Sequence, residues 1–442
     1  MVVKKITWVP AHRRAELRAL ATRSQQVVML AAVVGAATGL VVALFDRLVV
    51  DESFDSVLML SPWLIGVMPG IGLLVAYAIR RYIGGGVTPS SADEYLRAFH
   101  DRNHLLGGRQ FIARMLAAVA TLGSGGPMGL EGPSMYAGSF IGSTLQRRLP
   151  RVFRGADRRV LLVAGAAAGV AAIFKAPATG AVFALEVPYQ DDLARRMLLP
   201  ALVAAASGYL VFVAINGTDP LFPIDGAVGF ALHDLLGAVA IGIVGGIAAR
   251  GFAWLLRRAK AVQAGRHPLR ITIAAGVAVA AFFALGRLLT GDNLVVGAGY
   301  NVMAWASEPG RTVWILLGLL VLRSFATAAV VAGGGVGGLF VPLVVAGALV
   351  GAAIGSVVDA EAMTLFIVIG VAAFLGAGYR VPLASVMFVA ETTGRPSFVV
   401  PGLLAAVAAE LVMGRSSVTN YQWDAETAAA NATIAAATPN RS

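Results

Sequence analysis

Apolar runs long enough to cross a bilayer recur from one end of this chain to the other, and no other feature restricts its fold so tightly. Residues 27–45, 58–79, 201–215, 237–256, 271–289, 313–332 and 398–413 are largely apolar. A hydrocarbon core takes about 20 such residues per helix, and a helix satisfies its own backbone hydrogen bonds where no water can. Composition agrees. Of 442 residues, 58% are hydrophobic and only 13% charged, with a mean hydropathy of +0.77, whereas a soluble chain carries about a quarter charged residues. The fold class is therefore an all-α polytopic membrane protein.

A net charge of +11 would point to nucleic acid in a soluble protein. Here most basic residues sit between the apolar runs: Lys4, Lys5, Arg13, Arg14 and Arg18, then Arg80 and Arg81, then the clusters at 147–159 and 257–270. The positive-inside rule reads them as cytoplasmic loops and places the N-terminus in the cytoplasm of a cell with this chain in its membrane. No basic helix with interleaved aromatics is present, so nucleic acid is not an expected partner. The absence of cysteine excludes disulfides, thiolate metal sites and cysteine nucleophiles. A cleavable signal peptide is not expected, because the polar first 26 residues lead into a run long enough to stay in the membrane.

In order, residues 1–25 read as an amphipathic interfacial helix with Leu17, Leu20 and Ala21 on one face. Residues 26–216 form a first membrane repeat and 217–232 a connecting loop. A second repeat covers 233–421, followed by a disordered tail over 422–442 that leaves no room for a soluble regulatory domain. Two glycine-rich stretches interrupt the first repeat. Gly84-Gly85-Gly86-Val87-Thr88-Pro89 precedes an acidic helix start at Asp93 and Glu94. Residues 123–142 hold a single carboxylate, Glu131, among glycines and prolines, where a helix N-terminus favours an anion. Ala137, Gly138, Gly142 and Ser143 then permit close helix packing. Residues 155–173 and 178–187 are short for full spans and are separated by Phe174-Lys175-Ala176-Pro177, which predicts a broken pair of half-helices lining a cavity or buried in protein.

The second half repeats the first. Gly129-Leu130-Glu131-Gly132-Pro133, Ala137-Gly138 and Gly142 recur, at one constant interval, as Gly338-Leu339-Phe340-Val341-Pro342, Ala346-Gly347 and Gly351. Pro177, Phe183 and Glu186 recur likewise as Pro382, Phe388 and Glu391. Repeats with interrupted helices in matching places put a transport site near the midplane, between the halves.

These motifs, in this order, resemble the CLC family of chloride channels and chloride/proton antiporters over most of residues 27–421. The resemblance implies two inverted halves per subunit and a homodimer with one pore per subunit. It makes Glu131 the gating glutamate and implies an anion site at the backbone of Gly129, Leu130, Gly132, Leu339 and Phe340, with Tyr421 as the central tyrosine. Its serine motif falls on residues 85–89, which puts Gly86 at the serine position beside Val87; Ser124 lies too close to the gate to be that serine. Its internal proton glutamate falls on Val187, so Glu186, Asp191 or Asp192 is left to carry protons. A basic residue usual beside the gate is Leu130 here.

Plainer readings stand beside these. Glu131 is also a first-turn acid, Tyr421 an interfacial anchor, and Glu186 and Glu391 bonds to backbone groups. His100 and His104 lie four residues apart but in a polar loop, so no metal is expected. No cofactor is expected either, and the lack of a Ser-His-Asp arrangement, P-loop or dinucleotide fingerprint argues against an enzyme. The expected partners are the bilayer, chloride or another small anion (fluoride, nitrate, bicarbonate), protons, and a second copy of the chain. A passive channel and a proton-coupled antiporter both remain open, with Val187 leaning to the channel. A cation transporter would want several intramembrane acids and is disfavoured, as is a non-transporting scaffold.

Overall fold

The computed structural model describes residues 11–101, 103–149, 159–218, 221, 232–424 and 427. Its helices run α1 Ala11–Arg47, α2 Asp55–Leu58, α3 Pro62–Ala78, α4 Ser91–His100, α5 Gly108–Gly123, α6 Glu131–Arg148, α7 Val160–Phe174, α8 Pro177–Glu186 and α9 Leu198–Asn216. The second half continues with α10 Leu232–Gln263, α11 Pro268–Thr290, α12 Tyr300–Ser307, α13 Val313–Ala332, α14 Phe340–Val358, α15 Met363–Tyr379, α16 Pro382–Thr393 and α17 Val399–Met413. Among the described residues, eight helical segments are long and apolar enough to cross a membrane. Seven coincide with the apolar runs of the sequence. The eighth, Phe340–Val358, is largely buried inside the protein rather than turned to lipid.

The duplication is visible in the packing. In the first half α1 packs on α9, α6 on α7, α7 on α8 and α3 on α5; in the second, α10 packs on α17, α14 on α15, α15 on α16 and α11 on α13. Equivalent helices also meet across the halves, α3 with α11, α8 with α16 and α6 with α14. Glycine sets the closest of these approaches. A Cβ on Gly138 would lie 1.9 Å from the Gly165 carbonyl oxygen, and one on Gly351 would lie 2.1 Å from that of Phe366. Small residues let helix backbones touch where lipid gives no hydrophobic drive to associate.

Both halves break a helix in the same way. Lys175 and Arg380 end α7 and α15 in the left-handed conformation, at φ 52° and 57°, and a proline two residues on starts α8 and α16. Proline suits the first turn, where its missing N–H costs nothing. The freed amides of each second half-helix are taken by the glutamate closing the other repeat's half-helix. Glu186 accepts from Leu383 N–H at 3.1 Å and Ala384 N–H at 2.9 Å. Glu391 accepts from Ala178 N–H at 2.9 Å, Thr179 N–H at 2.7 Å and the Thr179 hydroxyl at 2.6 Å. The two halves are thus clasped by reciprocal caps.

Three expectations are corrected here. The boundary drawn between an interfacial helix over 1–25 and the first span does not exist as a break, since α1 is continuous from Ala11. No glycine or proline occurs from Ala11 to Val34 to stop it. The amphipathic face of residues 1–25 lies outside the residues whose side chains are described, as does most of the 217–232 loop. The tail boundary also moves. Gln422–Asp424 are not loose: Trp423 exchanges backbone hydrogen bonds with Pro188 and Gln190 at 3.1 and 3.0 Å and stacks on His100 at 3.9 Å. The remainder of 425–442, apart from Thr427, lies outside the described residues. Finally, His100 is not in a loop but closes α4, and neither histidine stands free. Each is partly buried, one ring nitrogen of His100 bonded to the Pro188 carbonyl and one of His104 to Glu94, both at 2.9 Å. Among the described residues no cluster of ligands suits a metal.

Candidate anion site

Two glycine-rich turns, one from each half, meet at the centre of the molecule. Gly129 N–H donates to the Gly338 carbonyl at 3.0 Å and Gly338 N–H to that of Gly129 at 2.7 Å, an antiparallel bridge that draws the N-termini of α6 and α14 together. A side chain at Gly338 would meet the Gly132 backbone nitrogen at 2.7 Å, and one at Gly129 would displace the Glu131 side chain. A Cβ on either would stand 1.9 Å from a carboxylate oxygen of Glu131, Oε2 for Gly129 and Oε1 for Gly338.

Glu131 opens α6 and is 2% exposed. Its carboxylate reaches away from its own helix to the facing one, where Phe340 N–H donates to Oε1 at 2.6 Å. Oε2 is buried and, among the described residues, has no hydrogen-bond partner. The first-turn amides of a helix carry partial positive charge and favour an anion, so this carboxylate sits where a small anion would sit. Its hold is incomplete, because one of its two oxygens is unpaired.

Around Phe340 the rings come from both halves. Phe174 and Phe183 lie 4.4 and 5.3 Å from it, Phe388 4.9 Å and Tyr379 6.3 Å. The edges of such rings carry partial positive charge, so an apolar box can still be hospitable to an anion.

Below Glu131 a cavity of about 270 Å³ opens toward the basic loops. Gly337, Gly338, Leu339 and Tyr379 form its inner end, and Thr88, Asp93, Lys260 and Tyr421 lie along its walls. Lys260 pairs with Asp93 at 2.9 Å. Glu94 gathers Arg97, His104 and Arg114 at 3.3, 2.9 and 3.2 Å, and the Thr88 hydroxyl donates to it at 3.0 Å. Burial pushes the Glu94 carboxyl up, but Arg114, His104 and Thr88 outweigh it and hold the group below its ordinary value.

The expected site residues divide on this geometry. Glu131, Gly129, Leu130, Gly132, Leu339 and Phe340 are brought together as one buried centre. Gly86 and Val87 are not part of it. They line a neighbouring cavity, Gly86 spends its N–H on the Arg80 carbonyl at 2.8 Å, and the Val87 carbonyl accepts from Arg80 Nη1 at 3.3 Å. Thr88 and Pro89 are the residues of that stretch that reach the vestibule. Ser124 closes α5 with its hydroxyl on the Thr121 carbonyl at 3.0 Å. Val187 is buried among apolar groups. Glu186, offered as a proton carrier, has both oxygens on the amides of α16. Tyr421 lines the vestibule but is 39% exposed, with the Arg97 guanidinium over its ring at 5.3 Å.

The tyrosine at the inner end is Tyr379, 2% exposed, its hydroxyl beside the Leu339 amide. Sequence reasoning missed it, although a signal existed. Tyr379 precedes Arg380-Val381-Pro382 as Phe174 precedes Lys175-Ala176-Pro177, so the repeat itself places the two rings at matching helix ends. Asp93, Glu94 and Lys260 were missed as vestibule residues, because the two acids read as a helix start and Lys260 as one of a cluster of loop charges.

Comparison with known proteins follows the same line. The family model described as voltage gated chloride channel matches residues 71–414. Curated relatives include H(+)/Cl(-) exchange transporter ClcA from Salmonella paratyphi B and from Salmonella typhi, each 26% identical over 433 residues, covering 91% of this chain and 89% of the relative. Among solved structures, a slow cyanobacterial Cl-/H+ antiporter superposes with a TM-score of 0.77 at 20% identity, covering 93% of this chain and 98% of that one. A CLC-type fluoride/proton antiporter gives 0.73 at 22% identity, with 90% and 98% covered.

Proposed function

Because this chain belongs to the voltage gated chloride channel family, we propose that it moves small monovalent anions, chloride first, across a cell membrane, with Glu131 as its gate. One observation carries the reading: the Glu131 carboxylate rests on the Phe340 amide at the facing helix N-terminus. There it competes directly with an anion for the same donors. When it is protonated its charge is gone and its claim on the amide weakens, since charge-assisted hydrogen bonds are about twice as strong as neutral ones. The anion then takes the amides of Leu339 and Phe340, with the Tyr379 hydroxyl below. Amides and hydroxyls replace hydration without the trapping a fixed cation would cause.

The relatives are H(+)/Cl(-) exchangers by name, which supports exchange over passive flow even though Val187 offers no carboxylate. Two copies form the working unit, each with its own pore, and the basic loops and the N-terminus face the cytoplasm. Purified protein in liposomes under a chloride gradient tests this: uphill proton movement is expected, and chloride flux with no proton movement would leave a channel. A second reading, a preference for another small anion (fluoride, nitrate or bicarbonate), is motivated by the serine position falling on Gly86, which has no hydroxyl and turns its amide away from the site. An anion-competition series on the same liposomes decides it; strong chloride preference sinks it.

A further inference from the structure

Where α3 ends, a cavity of about 630 Å³ opens between the turn after that helix and the loop joining α10 to α11. Tyr77, Arg80, Arg81, Gln263 and Arg266 line it, and among the described residues no aspartate or glutamate stands in its wall. Arg80 is 8% exposed. Its Nη1 donates to the Val87 carbonyl at 3.3 Å, and among the described residues its buried Nε has no hydrogen-bond partner. Its Nη2 lies so near Gly334 that a Cβ there would be 2.3 Å away. Among the described residues, no carboxylate forms an ion pair with Arg80, Arg81 or Arg266.

A guanidinium withdrawn from water without a counter-charge is costly, and the fork of N–H donors on arginine matches phosphate oxygens. The mouth of the cavity adds a second requirement. Leu269, Ile273 and Val277, at successive four-residue steps on one face of α11, are 46%, 49% and 67% exposed and lead away from the cavity along the helix. Ile83, at the end of the π-helical turn that follows α3, is 44% exposed beside it.

We propose that this cavity binds the phosphate of an anionic phospholipid, with Arg80 at its floor, Arg81 and Arg266 at its mouth, and the acyl chains along the apolar face of α11. Basic pockets between membrane helices are suited to such headgroups. Soluble phosphate offers the same oxygens but makes no use of the apolar track. Thr88, Gln263 and Ala264 line both this cavity and the vestibule, so the lipid shares a wall with the anion path. The assignment holds whichever anion is carried.

Native mass spectrometry of the full chain, purified in detergent and offered phosphatidylglycerol or phosphatidylcholine, tests this. Wild type retains phosphatidylglycerol preferentially, and each arginine changed to glutamine lowers that retention about fivefold. Arg81→Gln with Arg266→Gln, both exposed, carries the test if Arg80→Gln does not assemble. Inorganic phosphate in excess does not displace the lipid. Equal retention of the two lipids, unchanged retention in the double variant, or displacement by inorganic phosphate overturns the proposal.

Discussion

Three buried or half-buried glutamates meet the first-turn amides of a helix from the opposite repeat, and they are not alike. Glu186 and Glu391 have both oxygens hydrogen-bonded. Glu131 has one oxygen on Phe340 N–H and the other unpaired. The same pairing of side chain and helix end therefore serves two purposes, according to how completely the carboxylate is satisfied. A fully held carboxylate fastens two half-helices. A half-held one can leave.

The largest effect is expected at the fasteners. Replacing Glu391 by alanine strands two amides and the Thr179 hydroxyl at the start of α8, each charge-assisted bond contributing roughly 1.5–3 kcal/mol. Glu391→Ala should lose several kcal/mol and much of its yield of folded protein, measured as the melting temperature in detergent. Glu186→Ala should follow it. A melting point within a degree or two of wild type would remove the distinction drawn between these glutamates and Glu131.

A smaller effect separates the two tyrosines. Tyr379→Phe takes the hydroxyl from the inner end of the vestibule, and a lost hydrogen bond of about 1 kcal/mol predicts roughly fivefold weaker anion binding by titration calorimetry. Tyr421→Phe, at the exposed wall under Arg97, should change it less than twofold. The opposite order would restore Tyr421 to the central position.

The smallest effect concerns Glu94, which lies outside the three but is also held by its neighbours. Its folded value is depressed below the ordinary 4.5, so its contribution to stability is full above that pH and is lost as pH falls through the folded value. The gap in melting temperature between wild type and Glu94→Gln should be constant at neutral pH and narrow below about 4.5. A gap that widens on acidification would reverse the sign.

Much of this was legible in the chain. The repeated Gly-x-x-x-Pro segments and the proline-started half-helices made the duplication legible, because glycine and proline fix backbone geometry wherever they stand; that the halves are inverted was implied by the family resemblance alone. Glu131 was legible as the lone acid inside such a segment. Depth was not. Tyr421 looked central because it follows the last span, whereas the short, buried α15 ends at mid-molecule and delivers Tyr379 there instead. The fate of the Gly86 amide was equally hidden, since a glycine's N–H can turn to a ligand or back onto its own helix, as it does here onto Arg80. The anchoring of Gln422–Asp424 rests on a stack between Trp423 and His100, residues too far apart in sequence for any local pattern to join.

We propose above all that Glu131 and the transported anion compete for one helix N-terminus. It is tested most directly by anion flux from liposomes carrying wild type or Glu131→Gln, measured across external pH. Flux is expected to change with pH in wild type and to be independent of pH in the variant. A variant as sensitive to pH as wild type would contradict it.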